Sequence, residues 1–156
     1  MTEYNNKTVR IFTIGYAGKN AEEFFALLLK ADIRKIIDVR LYNTSRLAGF
    51  TKKADLEYFL QTIAGAEYIH MPIMAPTKEL LSGYKNGSIS WPQYETQFNE
   101  IIAQRQIEKH VNPQDLHMAC LLCAEAKPDN CHRRLVAEYL APVSYTHLTL
   151  PTTPYG

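Results

Sequence analysis

Short apolar runs separated by amphipathic segments dominate the chain. Residues 9–14 are apolar and β-branched, which predicts a first strand. Residues 35–39 and 67–71 are two further short runs that predict buried strands. Residues 117–122 are too short and too uniformly apolar for an amphipathic helix, so they predict a parallel strand buried on both faces that stops at Cys123.

The segments between these strands contain capping residues and apolar residues at helical spacing. Asn20, with Glu23 three residues later, has the pattern of a capping box at the start of a helix. A second helix is predicted over residues 53–64, with Thr51 as its cap and Gly65 at its end. Strands that alternate with helices favour an α/β fold.

The second half of the chain adds further helices. Thr77 can cap a short helix, and Ser90 opens a longer one that carries Pro92 inside its first turn. The polar loop after Cys123 leads into a helical pattern that ends near Leu140. We therefore predict an α/β fold in a single domain, with a mostly parallel sheet and helices on both faces.

Length and composition define the predicted domain. The 156 residues suffice for one substantial core, which we assign to residues 1–143. Residues 144–156 contain no charged side chain but four threonines and two prolines. We interpret them as a tail, which is either a final edge strand over residues 143–150 with a disordered end, or sequence foreign to the domain.

The charge balance and the cysteines narrow the class of protein. Lys and Arg number 17 against 16 Asp and Glu, so a net charge of +1 gives no support for broad electrostatic binding to nucleic acid or a membrane. Cys120, Cys123 and Cys131 fall within one short segment, unlike the spread framework of a secreted disulfide protein. We expect a cytoplasmic protein without a membrane partner, in which an anionic ligand is recognised locally.

The candidate functional residues follow the predicted strands. In an open parallel sheet, the loops at the carboxyl ends of the strands share one edge, and ligands bind there. We therefore expect these side chains to converge. The predicted catalytic set is Cys123, Glu125 and His132, and the predicted anion-binding set is Tyr16, Lys19, Arg40, Ser45, Arg46, Cys131 and Arg133.

Each role rests on simple chemistry. Cys123 would lie near a helix N-terminus and several cations, which favour the thiolate and hence a nucleophile, although it could equally be a small buried residue at a strand end. Glu125 could be a general acid or base, could fix an arginine, or could be a solvated loop carboxylate. Arg40 and Arg46 bracket the hydroxyl of Ser45, which suits a phosphate-sized anion.

Other polar residues have plainer interpretations. His132 and Arg133 are cations at a helix start, where the dipole disfavours them, so they could serve an anion or pair with a carboxylate. Asp38 is better placed to orient an arginine than to act as a catalyst. His70 and His117 are interpreted as satisfied strand or core histidines.

A metal centre is the alternative use of the cysteines. Cys120, Cys123, Cys131 and His132 superficially resemble a zinc set. However, Cys120 and Cys123 stand three positions apart on a strand and tend to face opposite sides. Adjacent Cys131 and His132 would need an unusual backbone to ligate one ion. We therefore predict no metal site and no cofactor.

Four segments carry a family resemblance. They are TIGYAGK (13–19), IDVRLYNTSRLAGFTK (37–52), YIHMP (68–72) and LLCAEAKPDNCHR (121–133), and in that order they resemble the bacterial and archaeal domain of unknown function 488 family. The resemblance covers residues 11–140, and its last segment is the most specific. It implies an α/β fold and a site more than a particular reaction.

A remoter resemblance is to the rhodanese and cysteine-phosphatase arrangement. There, an arginine closes a loop that cradles an anion beside a thiolate. In this chain Cys123 is ten residues from Arg133, a longer separation than in that loop. Glu125 and Pro128 also stand where small residues would offer backbone N–H groups, so a standard loop of that type is not expected.

These observations lead to two functional hypotheses. The first is a cysteine-dependent hydrolase or transferase that acts on a small anionic or phosphate-bearing substrate, such as a nucleotide or a nucleic-acid base or end. Cys123 would be its nucleophile and Glu125 its acid or base, while Arg40, Arg46 and Arg133 would hold the anion. The second is a non-catalytic module that binds a nucleotide or a nucleic-acid end through the same arginines.

Overall fold

Five parallel strands form one sheet. The computed structural model describes residues 9–44, 49–125 and 130–141, and the backbone alone of residues 145–149. The strand order is β3-β2-β4-β1-β5, and every pairing is parallel, as the sequence predicted. The strands are β1 (Val9–Gly15), β2 (Lys35–Asp38), β3 (Glu67–His70), β4 (Ala119–Cys123) and β5 (Tyr145–Thr149).

Helices cover both faces of this sheet. They are α1 (Ala21–Lys30), α2 (Lys53–Phe59), α3 (Lys78–Lys85), α4 (Trp91–Arg105), α5 (Pro113–Leu116) and α6 (His132–Leu140). Alternate side chains of each strand point to opposite faces, so β4 sends Leu121 and Cys123 to one core and Cys120 and Leu122 to the other. The first core lies under α3, α4 and α6, and the second lies under α1 and α2.

Several helix starts follow the predicted capping chemistry. Asn20 and Glu23 form a reciprocal capping box at α1, with Glu23 N donating to Asn20 Oδ1 at 2.8 Å. Thr77 Oγ1 accepts from Leu80 N at 3.1 Å at the start of α3, and Ser90 opens α4 with a second capping box. These contacts satisfy backbone donors that a helix leaves without intrahelical partners.

The expectation that Thr51 caps α2 is wrong. The N-cap is Lys52, whose side chain makes no capping bond. Thr51 instead ends a short 3-10 helix, Gly49–Thr51, and both its hydroxyl and its carbonyl oxygen accept from Arg40. The predicted helix over residues 53–64 is α-helical only to Phe59 and continues as a π-helical turn before Gly65, whose left-handed φ of 61° ends it.

The approach to β4 also differs from the prediction. The strand begins at Ala119, two residues later than expected, because Pro113 starts the short helix α5 and Met118 adopts a left-handed φ of 63°. Near the other end of the chain, residues 145–149 form β5 beside β1, within the range of residues 143–150 in which an edge strand was considered.

The strand order brings distant loops together. β4 is inserted between β1 and β2 and pairs with both, with Gly15 opposite Cys123 and Asp38 opposite Leu122. The chain segments that follow these three strands therefore leave the sheet side by side at its carboxyl edge. Within the described ranges, none of the helices has the length and apolar character needed to cross a membrane.

Candidate functional site

A cleft of about 450 Å³ opens at the carboxyl edge of the sheet. Six of the predicted site residues line it, so their expected convergence is observed for these positions. They are Tyr16, Arg40, Cys123, Glu125, Cys131 and His132. Lys19 and Arg133 are not among the lining residues, and Ser45 and Arg46 lie outside the described residues.

Two thiols and an imidazole form a buried cluster at this cleft. The sulfur atoms of Cys123 and Cys131 and a ring nitrogen of His132 lie within 4.8 Å of one another. Cys123 ends β4, and Cys131 is the N-cap residue of α6, so the strand and the helix start bring them together. All three side chains are at most 6% exposed, and the cleft is their route to solvent.

The hydrogen bond of His132 to the backbone fixes the orientation of its ring. Its Nε2 lies 2.6 Å from the carbonyl oxygen of Val39, which can only accept, so Nε2 carries a hydrogen. Nδ1 faces the thiols, 3.6 Å from Cys123 Sγ, and in the protonated ring it carries a hydrogen that can be donated to a thiolate. A backbone carbonyl that orients an imidazole against two thiols places a proton-transfer group beside a potential nucleophile.

The two thiols of the cluster differ in acidity. Burial alone would raise the pKa of Cys131, but hydrogen bonds from Cys123 and His132 and the charge of Arg133 bring it well below its ordinary value. The hydrogen bond to Cys131, together with burial, raises the pKa of Cys123 well above its ordinary value. The pair therefore favours a Cys131 thiolate that accepts a hydrogen bond from the Cys123 thiol.

Arg40 is held firmly in the cleft wall. Its Nε donates to Asp38 Oδ1 at 2.9 Å and its Nη2 to Asp38 Oδ2 at 2.7 Å, so the pair is bidentate. Nη2 also donates to the Thr51 carbonyl at 2.7 Å, and the guanidinium lies 5.5 Å from the Tyr16 ring centroid. Asp38 thus orients an arginine, as its position suggested, and most donors of Arg40 are already engaged within the protein.

Arg133 and Lys19 are buried and do not line the cleft. Arg133 is completely buried, and its Nη1 donates to the carbonyl oxygen of Glu125. Lys19 Nζ donates to the carbonyl oxygen of Gly15 at 2.7 Å. A Cβ on Gly15 would fall 1.5 Å from the Glu125 oxygen, so only glycine fits there. The contacts of Arg133 and Gly15 with Glu125 hold the start of the loop after β4, whereas the sequence had assigned both cations to the anion.

Glu125 is exposed to solvent, unlike the buried thiol cluster. It lines the cleft, and the residue is solvent-exposed, while its backbone carbonyl is tied down by Arg133. A fixed backbone beside an exposed carboxyl group leaves that group available to a ligand in the cleft. This placement is compatible with the predicted acid or base role.

An aromatic wall lines the same cleft as the thiol cluster, and the sequence did not identify it. Trp91 stacks on Tyr94 with ring centroids 5.0 Å apart and planes inclined by 19°, and Tyr84 lies 5.6 Å from Trp91. Tyr16 and Tyr42 contribute further rings. The available signal was the density of aromatic residues where α3 meets α4, but helical spacing there equally predicts core packing.

Cys123, Cys131 and His132 also have the spacing of three metal ligands. Their donor atoms are close enough to surround one ion with a fourth position open, and the Val39 carbonyl orients the imidazole as in many zinc sites. The expectation that adjacent Cys131 and His132 would need an unusual backbone is wrong, since an ordinary extended Cys131 at the N-cap of α6 already brings their donor atoms close together. The exclusion of Cys120 is confirmed, since it packs in the core on the opposite face.

His70 and His117 are satisfied by backbone groups. His70 Nε2 lies 2.7 Å from the Arg40 carbonyl oxygen, and His117 Nδ1 accepts from Arg10 N at 3.1 Å. Neither histidine lines the cleft. Their interpretation as strand or core histidines agrees with these contacts.

Fold and site together define an α/β protein with an open parallel sheet and a thiol-containing cleft at its carboxyl edge. A family model described as domain of unknown function DUF488 matches residues 20–140. The chain therefore belongs to the DUF488 family, as its sequence motifs indicated. Searches of curated proteins and of solved structures gave no significant match.

Proposed function

We propose that this protein is a cysteine-dependent hydrolase or transferase that acts on a small phosphate-bearing substrate related to nucleotides. The observation that carries the proposal is the cluster of Cys123, Cys131 and an oriented His132 at the cleft. Such a cluster supplies a nucleophile and a proton-transfer group within reach of one bound molecule.

The proposal assigns the nucleophile to Cys131. Its lowered pKa favours the thiolate, whereas the raised pKa of Cys123 makes that thiol the hydrogen-bond donor of the pair. The sequence had suggested Cys123, because it was expected near a helix N-terminus and several cations. In the cluster, Cys131 has the further advantage of the N-cap position of α6, where the helix dipole stabilises an anion.

The reaction would proceed in two steps. The Cys131 thiolate attacks an electrophilic centre of the substrate, and the leaving group departs with the electron pair of its bond and takes a proton from His132 or Glu125. Water then cleaves the thiol-linked intermediate in a hydrolase, or an acceptor hydroxyl or amine does so in a transferase. The deprotonated His132 or Glu125 accepts the proton of that incoming group.

Two features support an anionic substrate. The N-terminus of α6, a helix of nine residues, lies at the cleft because Cys131 and His132 line it. Lys85 is an exposed cation at the same cleft, whereas the charge of Arg40 in the wall is paired with Asp38. Together they favour a phosphate or carboxylate group near the thiols.

The test is turnover of a panel of phosphate-bearing nucleotides by the wild type and two cysteine variants. Cys131→Ser should lower kcat by at least about a thousandfold, since it removes the nucleophile. Cys120→Ser is the matched control and should retain activity, because Cys120 lies in the core on the opposite face.

The alternative is the binding module without catalysis. In that case no panel member would be turned over, Cys131→Ser would bind ligand as the wild type does, and removal of cleft cations such as Lys85 would weaken binding. Full activity of Cys131→Ser on a substrate that the wild type converts would refute the proposed nucleophile.

A further inference from the structure

We infer that the aromatic wall of the cleft is a binding subsite for the planar ring of a nucleobase, so that the ligand is a single nucleotide. The inference rests on the proposed function, which supplies the phosphate group of the ligand. It adds that the other end of the ligand carries a nucleobase. It assigns a role to Tyr84, Trp91 and Tyr42, which the chemistry at the thiols does not use.

The wall is built from rings that hold one another in place. Trp91 and Tyr94 are nearly parallel, and Tyr84 contacts both, with centroid distances of 5.6 Å to Trp91 and 5.2 Å to Tyr94. Tyr94 is 2% exposed and forms the backing, whereas Tyr84 and Trp91 are only partly buried. Rings fixed in this way lose little freedom when a further ring stacks on them.

The exposure of the outer rings points to a ligand. Tyr42 is 54% exposed although it lines the same cleft. A planar ring that enters between such side chains would gain stacking with aromatic faces and bury apolar surface. An aliphatic ligand would gain only the burial, so the ring-rich lining favours an aromatic ligand.

The ring wall is joined to the thiol cluster through the core. Tyr94 stacks on Phe98 with planes 10° apart and centroids 6.0 Å apart, and Phe98 packs edge-on against His132 at 5.4 Å. The lining of one cleft therefore contains both the outer rings and the thiols. A nucleotide whose base stacks on the wall could extend its phosphate towards the N-terminus of α6.

Size and charge favour a mononucleotide over a nucleic-acid strand. The cleft volume of about 450 Å³ lies in the range of roughly 300–1,000 Å³ that accommodates small ligands. A strand needs a track of positive charge along its backbone. The net charge of +1 offers no such excess.

The single tryptophan of the chain provides a direct readout, since Trp91 is the only tryptophan and lies in the wall. Its fluorescence would be titrated with AMP, GMP, CMP and UMP, and with ribose 5-phosphate, which has the sugar and phosphate without the base. At least one nucleotide should change the emission saturably and bind at least about tenfold more tightly than ribose 5-phosphate. Equal binding, or no binding by any nucleotide, would overturn the inference.

Ring-specific variants separate stacking from general damage. Tyr84→Leu should weaken nucleotide binding by roughly fivefold or more, and Tyr84→Phe should restore it. Tyr42→Leu changes an exposed side chain, so it should keep the fold while also weakening binding. The matched control is Tyr58→Leu, which removes a 65% exposed ring on α2 and should leave affinity unchanged. Unchanged affinity in both cleft variants would contradict stacking.

Two further arms separate this inference from the proposed function and from strand binding. Cys131→Ser should still bind the nucleotide. If the wild type and this variant both bind nucleotides but neither converts any of them, the proposed catalysis is rejected while the base subsite is supported. A single-stranded hexanucleotide should bind no more tightly than the best mononucleotide. Much tighter binding of the strand would overturn the assignment to a single nucleotide.

Discussion

The ion pairs at the two edges of the sheet differ in burial. At the carboxyl edge, Asp38 is 0% exposed and Arg40 5%, and their bidentate pair has an Nη2 to Oδ2 distance of 2.7 Å. Near the amino edge, Asp32 and Arg34 precede β2 and form a pair at 3.8 Å, with side chains that are 80% and 75% exposed. Ion pairing alone therefore does not distinguish the edges, but burial does.

Burial at the carboxyl edge has a functional consequence. Charges and thiols removed from water interact more strongly, and their ionisation depends on a few neighbouring groups. The exposed pair at the amino edge is screened by solvent and contributes little to stability. The carboxyl edge is thus the place where one substitution should change both stability and chemistry.

The largest expected effect comes from breaking the buried pair. Asp38→Asn leaves the Arg40 charge buried without its carboxylate, so the free energy of unfolding should fall by about 3–5 kcal/mol. Urea denaturation of the wild type and the variant measures this. The matched control is Asp32→Asn, which should leave the unfolding midpoint nearly unchanged because its partner remains in water. Equal effects of the two variants would remove the contrast between the edges.

A glycine at each edge gives the second comparison. Gly15→Ala places a methyl group 1.5 Å from the Glu125 oxygen and 2.8 Å from Arg133 Nη1, so the loop after β4 must move and stability should fall by about 1–3 kcal/mol. Gly65→Ala at the amino end of β3 meets no atom within 4 Å but has a φ of 61°, so it should cost about 1–2 kcal/mol.

The alkylation rate of Cys131 should distinguish the two glycine variants more clearly than their stability does. Only Gly15→Ala should change the rate at which iodoacetamide alkylates Cys131, because only Gly15 supports the loop between β4 and α6. Thermal unfolding and alkylation of the same preparations measure both quantities. An unchanged alkylation rate in Gly15→Ala would mean that this loop does not position the thiol.

The third comparison concerns the cysteines on the two faces of the sheet. Alkylation requires the thiolate, so a lowered pKa moves the onset of reaction to lower pH and a raised pKa moves it to higher pH. Cys131 should therefore react at least about tenfold faster than Cys120 at pH 6.5, since burial raises the pKa of Cys120. Peptide mapping after timed labelling measures both rates.

A variant of the partner thiol tests the cause of this difference. Cys123→Ala removes the hydrogen bond that stabilises the Cys131 thiolate, so the onset of Cys131 alkylation should move to higher pH. Cys120→Ala is the control and should leave the profile unchanged. If Cys123→Ala has no effect on the profile, the thiol pair is not coupled as the structure indicates.

The smallest expected effect concerns metal. We expect the purified protein to contain less than one equivalent of zinc, and a chelator should leave its unfolding midpoint unchanged. Elemental analysis before and after dialysis against the chelator makes the measurement. One tightly held equivalent that is lost in His132→Gln would instead assign Cys123, Cys131 and His132 as ligands, and would replace the nucleophile proposal with metal chemistry.

Local sequence patterns specify much of the architecture. The β-branched run at residues 9–14, the capping box of Asn20 and the cap at Thr77 need only neighbouring residues to act, so they were predictable. The parallel sheet followed from the alternation of strands and helices, and the convergence at its carboxyl edge followed from that topology.

The roles of individual side chains depended on contacts between distant segments. Arg133 was expected to hold an anion. It instead donates to the backbone carbonyl of Glu125, which lies directly against Gly15. Cys131 acquires its low pKa from Cys123, which lies eight positions earlier in the chain and in another element. The aromatic wall exists only because α3 and α4 pack beside the cleft.

Strands, caps and the edge that bears the site were therefore accessible from the sequence, because short-range periodicity and backbone geometry specify them. The lowered pKa of Cys131, the buried cations and the ring wall were decided by tertiary packing. Burial, hydrogen-bond partners and ring contacts depend on which distant side chains meet, and no local pattern encodes that.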